Sequence, residues 1–296
     1  MNKVTKCITA AIACAACVAT VHASTVAYWR FEGSATINPS DPGNFLYDSS
    51  GNGNNLQQTG SSTVTQIASP FLNPVPQTQA ANDFAAQIAG PFNDGISSNT
   101  QPTISDQVTI EAFFSPDALF GRTSYLFGYG ASTGVDDRSI ALGIADNNGT
   151  GSAAANTLFL LVSDDGDNNV LVASGLPEIE IGKLYYVAAT YDATIAGGIN
   201  NASFRFDNLT DGGTFSSTGS SGLVGLHQPT SPSSSLNIGA LWNGANDLDG
   251  VIDEVRFTSG LLSSSELLIF PEPGTAALAI VGASMVMYRR THKVNQ

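Results

Sequence analysis

Short apolar segments recur along the chain, and clusters of Gly, Asn, Ser and Asp separate each segment from the next. This spacing is typical of all-β sandwiches, because a half-buried strand turns every second side chain toward the core. In residues 26–32 (VAYWRFE), Ala27, Trp29 and Phe31 fall on one face. Apolar residues at helical spacing are nearly absent. The sequence therefore predicts an all-β domain.

Other segments add detail to this prediction. Phe204 and Phe206 alternate with polar residues and should point inward, whereas residues 158–162 (LFLLV) are apolar throughout, as in a central strand. Residues 164–169 (DDGDNN) indicate a hairpin turn. Near the end of the domain, residues 263–266 have the S-x-x-E spacing of a capping box, which predicts one helical turn.

The first 23 residues have the features of a secretory signal peptide. Two lysines provide positive charge, residues 8–21 are apolar, and Ala23 ends a short stretch suited to signal peptidase. We therefore expect the mature chain to begin at Ser24. A lipoprotein is the alternative because of Cys14 and Cys17, but neither cysteine follows the leucine-like residue that a lipobox requires.

The end of the chain carries a second localisation pattern. Its parts are a proline-flanked acid, an apolar run and an arginine pair: Pro271, Glu272 and Pro273, then residues 274–288, then Arg289 and Arg290. A helix over 275–288 would be ~21 Å long, against ~30 Å of bilayer hydrocarbon, so it could span only with tilt or local thinning. The basic residues would stay in the cytoplasm and the rest of the chain on the other side.

This order of parts resembles the bacterial PEP-CTERM sorting signal, which an exosortase-type membrane protease recognises and is believed to remove. The resemblance implies signal peptidase and such a protease as partners. It also implies export to the envelope, surface or extracellular matrix of a Gram-negative bacterium, with transient or permanent anchoring. The predicted organisation is a signal peptide at 1–23, one folded domain at 24–269 and a sorting tail with a short hydrophobic helix at 270–296.

Cysteine content and charge restrict the mature domain further. All three cysteines lie in the predicted signal peptide, so we expect a core of ordinary size rather than a disulfide framework. The formal net charge is −14. Removing both ends takes five of the 11 Lys and Arg residues but one of the 25 Asp and Glu residues, so the domain is more acidic still. Such a surface repels nucleic acid, which we exclude as a partner.

Six sequence blocks carry a second resemblance, and they occur in order at 26–34, 47–56, 108–116, 182–192, 235–244 and 248–257. Together they resemble a laminin G-like, concanavalin A-like domain. The resemblance implies an antiparallel two-sheet jelly-roll sandwich with one concave sheet. Related domains often bind structural calcium. Jelly rolls of this shape include lectins, spacers and glycoside hydrolases, so the fold leaves the function open.

Catalytic candidates are few. His227 is the one histidine of the predicted domain, which excludes a histidine-based zinc site, and cysteine catalysis is excluded by composition. Asp253 and Glu254 are adjacent in a predicted strand and should point to opposite faces, which prevents two-carboxylate catalysis by this pair alone. Glu178 and Glu180 share a face, but a solvated strand edge explains them. We therefore predict no catalytic residues and a protein that is not an enzyme.

Period-two alternation predicts that Asp253 lies on the face of Val251, Val255 and Phe257. A buried carboxylate needs a partner, for which Arg30 and a calcium ion are the two candidates. The oxygen-rich turn at 48–54 could supply calcium ligands, although the same residues are ordinary turn formers. The candidate calcium ligands are Asp48, Asn52, Asn54 and Asp253.

Trp242 lies in a polar segment between two predicted strands, where it could stack on a sugar ring or anchor the loop on the sandwich. Asn243, Asn246 and Asp247 could bind the sugar hydroxyls. The predicted function is an exported, non-enzymatic binding or structural module, associated with an extracellular polysaccharide or another surface protein. A carbohydrate-active enzyme, either a glycoside hydrolase or a lyase, is the alternative on the same fold.

Overall fold

The computed structural model describes residues 23–33, 44–59, 63–89, 95–98, 100–119, 121–131, 137–165, 168–241 and 247–272. These residues form two antiparallel β-sheets packed face to face, with almost no helix. The predicted all-β jelly-roll sandwich is therefore confirmed. The predicted signal peptide up to residue 22 and the apolar run of the tail lie outside the described residues.

The described strands are numbered in chain order: β1 (Ser24–Trp29), β2 (Gln57–Thr59), β3 (Thr63–Ala68), β4 (Phe84–Ala89), β5 (Gly95–Ser98), β6 (Gln107–Ala118), β7 (Ser124–Gly130), β8 (Arg138–Ile144), β9 (Leu158–Ser163), β10 (Asn169–Ala173), β11 (Tyr185–Asp192), β12 (Ala202–Asn208), β13 (Thr214–Gly219), β14 (Ser235–Ile238) and β15 (Asp249–Ser259). The first sheet has the order β13-β12-β11-β6-β15-β4-β3, with β1 also paired to β15. The second sheet has the order β10-β9-β8-β7-β14-β5-β2.

The main core fills the space between the two sheets. Trp29 is fully buried there, and its indole nitrogen donates to the carbonyl of Asn54 at 2.8 Å. Phe127 of the second sheet contacts Phe257 of the first, with ring centroids 4.8 Å apart. Phe204 and Phe206 point into this core, as the alternation predicts.

The outer face of the first sheet is covered as well. Residues 69–83 and 262–270 lie on it, and their apolar side chains form a second cluster with side chains of the sheet. That cluster includes Phe71, Val75, Phe113, Tyr186 and Leu268. The cover matters for chemistry, because a charged group on this face is removed from water and must find its partners within the protein.

Two local predictions are confirmed. The strands β9 and β10 pair antiparallel across the predicted hairpin, with Ser163 opposite Asn169. A single 3₁₀ turn at Ser264–Glu266 begins with the expected capping box between Ser263 and Glu266. Within the part of the chain that the structure describes, no helix has the length and apolarity needed to cross a membrane.

Candidate functional site

The strand β15 changes its neighbour halfway along one edge. Its residues Gly250 to Ile252 pair with β4, whereas Val255 to Ser259 pair with β1, and β6 lies along the other edge. Asp253 and Glu254 lie between these two pairings. A β-bulge interrupts the pairing with β6 at the same place. Two adjacent carboxyl groups therefore lie at a break in the sheet.

The bulge overturns the expected alternation of side chains. Glu254 has φ of 49°, a left-handed conformation that few residues other than glycine adopt. Val251 and Asp253 face the outer cluster, whereas Val255 and Phe257 face the main core, so Asp253 does not share a face with the latter two. Glu254 contacts residues of the outer side as well. Both carboxyl groups thus lie on one face, and the prediction of opposite faces is wrong.

Glu254 is fully buried between two residues of the first strand region. Its Oε1 accepts a hydrogen bond from Nε of Arg30 at 3.1 Å, and its Oε2 accepts the hydroxyl of Tyr28. Burial raises the pKa of Glu254 to about 7, although the Arg30 guanidinium and the Tyr28 hydroxyl both favour the charged form. Burial and the nearby Glu254 charge raise the pKa of the Tyr28 hydroxyl.

Asp253 has neutral partners. Its Oδ2 accepts the hydroxyl of Ser69 at 2.8 Å, and its Oδ1 accepts the backbone N–H of Glu254 at 2.8 Å. Burial raises the pKa of Asp253 well above its usual range, and the neighbouring Glu254 charge raises it further. Because Glu254 has a cation beside it and Asp253 has neutral donors, the proton of this pair belongs on Asp253.

A third buried carboxyl group lies on the same outer face. The carboxylate of Glu111 in β6 accepts three hydrogen bonds. They come from the hydroxyl of Tyr186 at 2.5 Å, Nε of Arg256 at 2.6 Å and the backbone N–H of Leu268 at 2.8 Å. Arg256 also donates to the carbonyl of Glu266 at 2.6 Å. Burial raises the pKa of Glu111 despite these partners. This network fastens the segment 262–270 to the sheet.

The acidic residues of the strands divide unequally between the sheets. Every Asp and Glu in a described strand belongs to the first sheet, in β6, β11, β12 and β15. The described strands of the second sheet contain none. Strand carboxylates are therefore concentrated on the first sheet, and Asp253 with Glu254 is the pair that shares a break in it.

The structure brings together three of the four predicted calcium ligands. The Asp48 carboxylate accepts backbone N–H groups of Tyr28, Ser50 and Asn54 at 2.8 to 3.0 Å. Asn52 and Asn54 donate from their side-chain amides to the carbonyl of Val26 at 3.0 and 2.8 Å.

Asp253 is hydrogen-bonded elsewhere, to Ser69. Among the described residues, no group of three or more His, Cys, Asp or Glu side chains could hold a metal. Calcium binding therefore stays a prediction.

Other predicted residues are only partly described. Trp242, Asn243 and Asn246 lie outside the described residues, whereas Asp247 is fully buried beside Tyr125. Of the sorting signal, Pro271 and Glu272 are described and exposed. Pro273, Arg289 and Arg290 are not described.

The histidine of the domain lies in a loop between two aspartates. Nδ1 of His227 is 3.0 Å from Asp165, and Nε2 is 3.3 Å from Asp137. Ser234 donates its hydroxyl to Asp137 and not to the imidazole. Among the described residues, the ring has no serine partner, so this arrangement does not form a nucleophilic triad.

Several residues of these networks were missed by sequence reasoning. Tyr28 looks like the polar face of a half-buried strand, and Glu111 sits among apolar neighbours in β6. Glu111 gives a signal that the sequence does contain, because an acidic residue among apolar neighbours in a strand must have a buried partner. Arg256, three residues before the end of β15, is the complementary signal.

Comparison with known proteins identifies related folds. The family model Laminin_G_3, described as the concanavalin A-like lectin/glucanases superfamily, matches residues 90–268. No curated protein matches the sequence. The solved structures that resemble this one share about a fifth of its sequence or less, so they bear on the fold alone.

Two such structures are informative for the fold. One is domain 4 of AbnA, a GH43 extracellular arabinanase from Geobacillus stearothermophilus, in complex with arabinotriose. It is 18% identical with a TM-score of 0.50, over 83% of this chain and 97% of that one. The other is the enzymatically active domain of bacteriophage CBA120 tailspike protein 2, at 18% identity and a TM-score of 0.50. That match covers 73% of this chain and 31% of the tailspike chain, so this chain spans less than a third of its length.

The prediction that the protein is not an enzyme is corrected, because similar folds occur in enzymes and the fold therefore gives no ground for excluding catalysis. The similar structures come from an arabinanase and from an enzymatically active tailspike domain. Catalysis by this pair was excluded because Asp253 and Glu254 were expected to point to opposite faces, whereas the bulge at Glu254 places both on one face.

Proposed function

We propose that this chain, which belongs to the concanavalin A-like lectin/glucanases superfamily, is a carbohydrate-active enzyme, a glycoside hydrolase or lyase, that acts on an extracellular polysaccharide. The observation that carries the proposal is the carboxyl pair at the break in β15. Glycosidases commonly use two carboxyl groups, one protonated and one charged, on the two sides of the scissile bond. The arabinanase and tailspike likenesses support the same class.

The surroundings of the two carboxyl groups assign their roles. Asp253, held by neutral donors and closest to Glu254, keeps its proton and would donate it to the leaving oxygen. Glu254, beside Arg30, is the group that ionises first and would act as base or nucleophile. Arg30 and Tyr28 are positioning residues, because they touch Glu254 and hold its charge.

A polysaccharide can reach Asp253 and Glu254 only past the segment that covers the outer face of the first sheet. Both carboxyl groups are closed to solvent, and the segment 69–83 lies over them. Arg30 and Glu32 hold the end of that segment, through the carbonyl of Ala81 and the backbone N–H of Phe84. The proposal therefore requires that this segment move aside when a polysaccharide binds.

The test is release of product from a panel of neutral and acidic polysaccharides, with reducing ends and unsaturated products both measured. We expect Glu254→Gln and Asp253→Asn to lower the rate by about 10²-fold or more, the usual effect of losing a catalytic acid or base. Glu178→Gln, at an exposed position, is the matched control. No product from any polysaccharide with the folded wild type, or unchanged rates in both variants, would overturn the proposal.

Glycan binding is a second function that one observation favours. The arabinanase domain was solved with arabinotriose, and this chain matches 97% of that domain. Trp242, with Asn243 and Asn246, is the binding set that we propose from sequence; Asp247, predicted with them, is fully buried and is left out. A glycan array and calorimetry with arabinotriose, using wild type and Trp242→Ala, test it. Equal binding by both proteins would remove this set.

We also propose that the protein is exported and that an exosortase-type protease processes its tail after Pro271-Glu272-Pro273. The support is the order of sequence parts at the two ends. Mass spectrometry of the mature protein from the extracellular fraction tests both ends at once. An N-terminus at Ser24 and a C-terminus near Pro273 are the expected results. A mature chain that retains Arg289 and Arg290 would contradict processing.

A further inference from the structure

A polar cavity lies at the end of the sandwich where β1 begins. Its volume is about 440 Å³, within the range of small-molecule sites. One wall is the start of β1 with the turn at 48–54, and the other is the extended segment 100–103. The cavity is separate from the carboxyl pair, because Ser259 lines it and Glu254 lies five residues earlier along β15, about 16 Å away at the usual rise of a strand.

The described lining of this cavity carries no ionisable side chain. Its polar side chains are all hydroxyls and amides, among them those of Asn52, Asn54, Thr100, Gln101, Thr103 and Ser259. This is unusual for a chain with a formal charge of −14. The carboxylate of the turn, Asp48, accepts hydrogen bonds from three backbone N–H groups. A lining of this kind offers donors and acceptors without attracting or repelling charge.

Several of these groups are held in place before any ligand arrives. The side-chain amide of Asn52 donates to the carbonyls of Thr25 and Val26 at 2.8 and 3.0 Å, which fixes the plane of the amide. On the opposite wall, the Thr100 hydroxyl is 2.5 Å from the hydroxyl of Ser98. Pre-ordered polar groups lose little conformational entropy on binding.

We propose that this cavity binds one end or one short unit of a neutral glycan, as a site separate from the carboxyl pair. The ligand class follows from the side chains: a neutral polyol can use hydroxyl and amide partners, whereas no side chain of the described lining offers a cation to a uronic acid or a phosphate. The site does not depend on cleavage, so it can exist whether or not the carboxyl pair is catalytic.

The test is calorimetry with arabinotriose, xylotriose, maltotriose and trigalacturonate. The purified protein carries Glu254→Gln to slow any cleavage, and it retains the residues before Ser24 so that no free α-amino group lies beside the cavity. Added to this background, Asn52→Ala removes the fixed amide. Thr103→Trp, at an exposed position, fills the cavity without touching the core. Asn148→Ala is the matched control, because Asn148 is an exposed turn residue outside the cavity. We expect at least one neutral trisaccharide to bind, and both cavity variants to weaken it at least 10-fold while the control does not.

Three results would overturn the proposal. The first is that none of the neutral trisaccharides binds. The second is that Thr103→Trp and Asn52→Ala bind as well as the background protein, or that only Trp242→Ala weakens binding. The third is that trigalacturonate binds more tightly than every neutral sugar. Failure of cleavage in the polysaccharide panel would leave these outcomes unchanged, so the two proposals fail separately.

Discussion

The carboxyl groups of Asp253 and Glu254 lie on one face of the first sheet, although the residues are adjacent in a strand. The left-handed backbone of Glu254, with φ of 49°, and the bulge opposite β6 produce this arrangement. Residues in such conformations cost free energy and persist where their surroundings impose them, often at functional sites. Here the surroundings are Tyr28 and Arg30, which bind Glu254, and Ser69, which binds Asp253.

The dependence of the cleavage rate on pH should reflect the ionisation of Asp253 and Glu254. Glu254 must be charged and Asp253 protonated, so we expect the rate to rise with pH through about 7 and to fall at higher pH. Arg30→Met removes the cation that favours charged Glu254, so the rising limb should move to higher pH, by about one unit or more. Arg205→Met, whose guanidinium contacts Asp207, is the control. An unmoved limb in Arg30→Met would contradict the assignment of Glu254.

Stability should fall as pH rises through the same range. The pKa of Glu254 is about 7 in the folded protein against 4.5 when unfolded, so between these values the folded state holds the extra proton. The contribution of Glu254 to the free energy of unfolding is complete below pH 4.5 and is lost as pH rises through about 7. The loss from this residue is about 3 kcal/mol.

Denaturant titrations from pH 4.5 to 7.5 measure this slope. The raised pKa values of Asp253 and Glu111 act in the same direction. Glu254→Gln should flatten the slope relative to Glu178→Gln. A slope that is identical in both variants would show that Glu254 is already ionised well below pH 7.

Replacing Arg256 should lower the free energy of unfolding. This arginine lies against fully buried Glu111, so Arg256→Met leaves a buried carboxylate with less compensation and should lower the free energy of unfolding by about 3–5 kcal/mol. The segment 262–270 should also become sensitive to protease, because both Glu111 and Arg256 bind its backbone.

Urea unfolding and limited proteolysis provide the two readouts. Replacing both residues, as in Glu111→Leu with Arg256→Met, should recover part of the loss because no unpaired charge remains. A single variant as stable as the wild type would show that the pair does not fasten the segment.

Asp48 should stabilise the turn in the absence of any metal. Its carboxylate accepts three backbone N–H groups, so Asp48→Ala should cost about 2 kcal/mol in chelator and in calcium alike. Thermal unfolding in both buffers measures this, and Asp146→Ala, which removes a single such acceptor in an exposed turn, should cost less. A melting temperature that rises with calcium in the wild type but not in Asp48→Ala would instead support the predicted calcium site.

Much of the fold could be predicted from local pattern. Trp29, Phe204 and Phe206 lie in the core where the alternation puts them, because period-two alternation needs only the residues of one strand. The turn at 164–169 and the capping box at Ser263 were equally local. The alternation failed at Glu254, where a bulge shifts the side chains, since a non-glycine residue in the left-handed region has no local sequence signal.

The sequence by itself determined the sandwich, the acidic charge and the absence of cysteine from the predicted mature domain, since these follow from composition and short-range periodicity. The tertiary structure decided which charged groups meet. Tyr28 and Glu254 are 226 residues apart, and Glu111 and Arg256 are 145 apart. Such pairs form only when strands distant in sequence become neighbours in a sheet, and burial beneath the covering segments then sets their protonation.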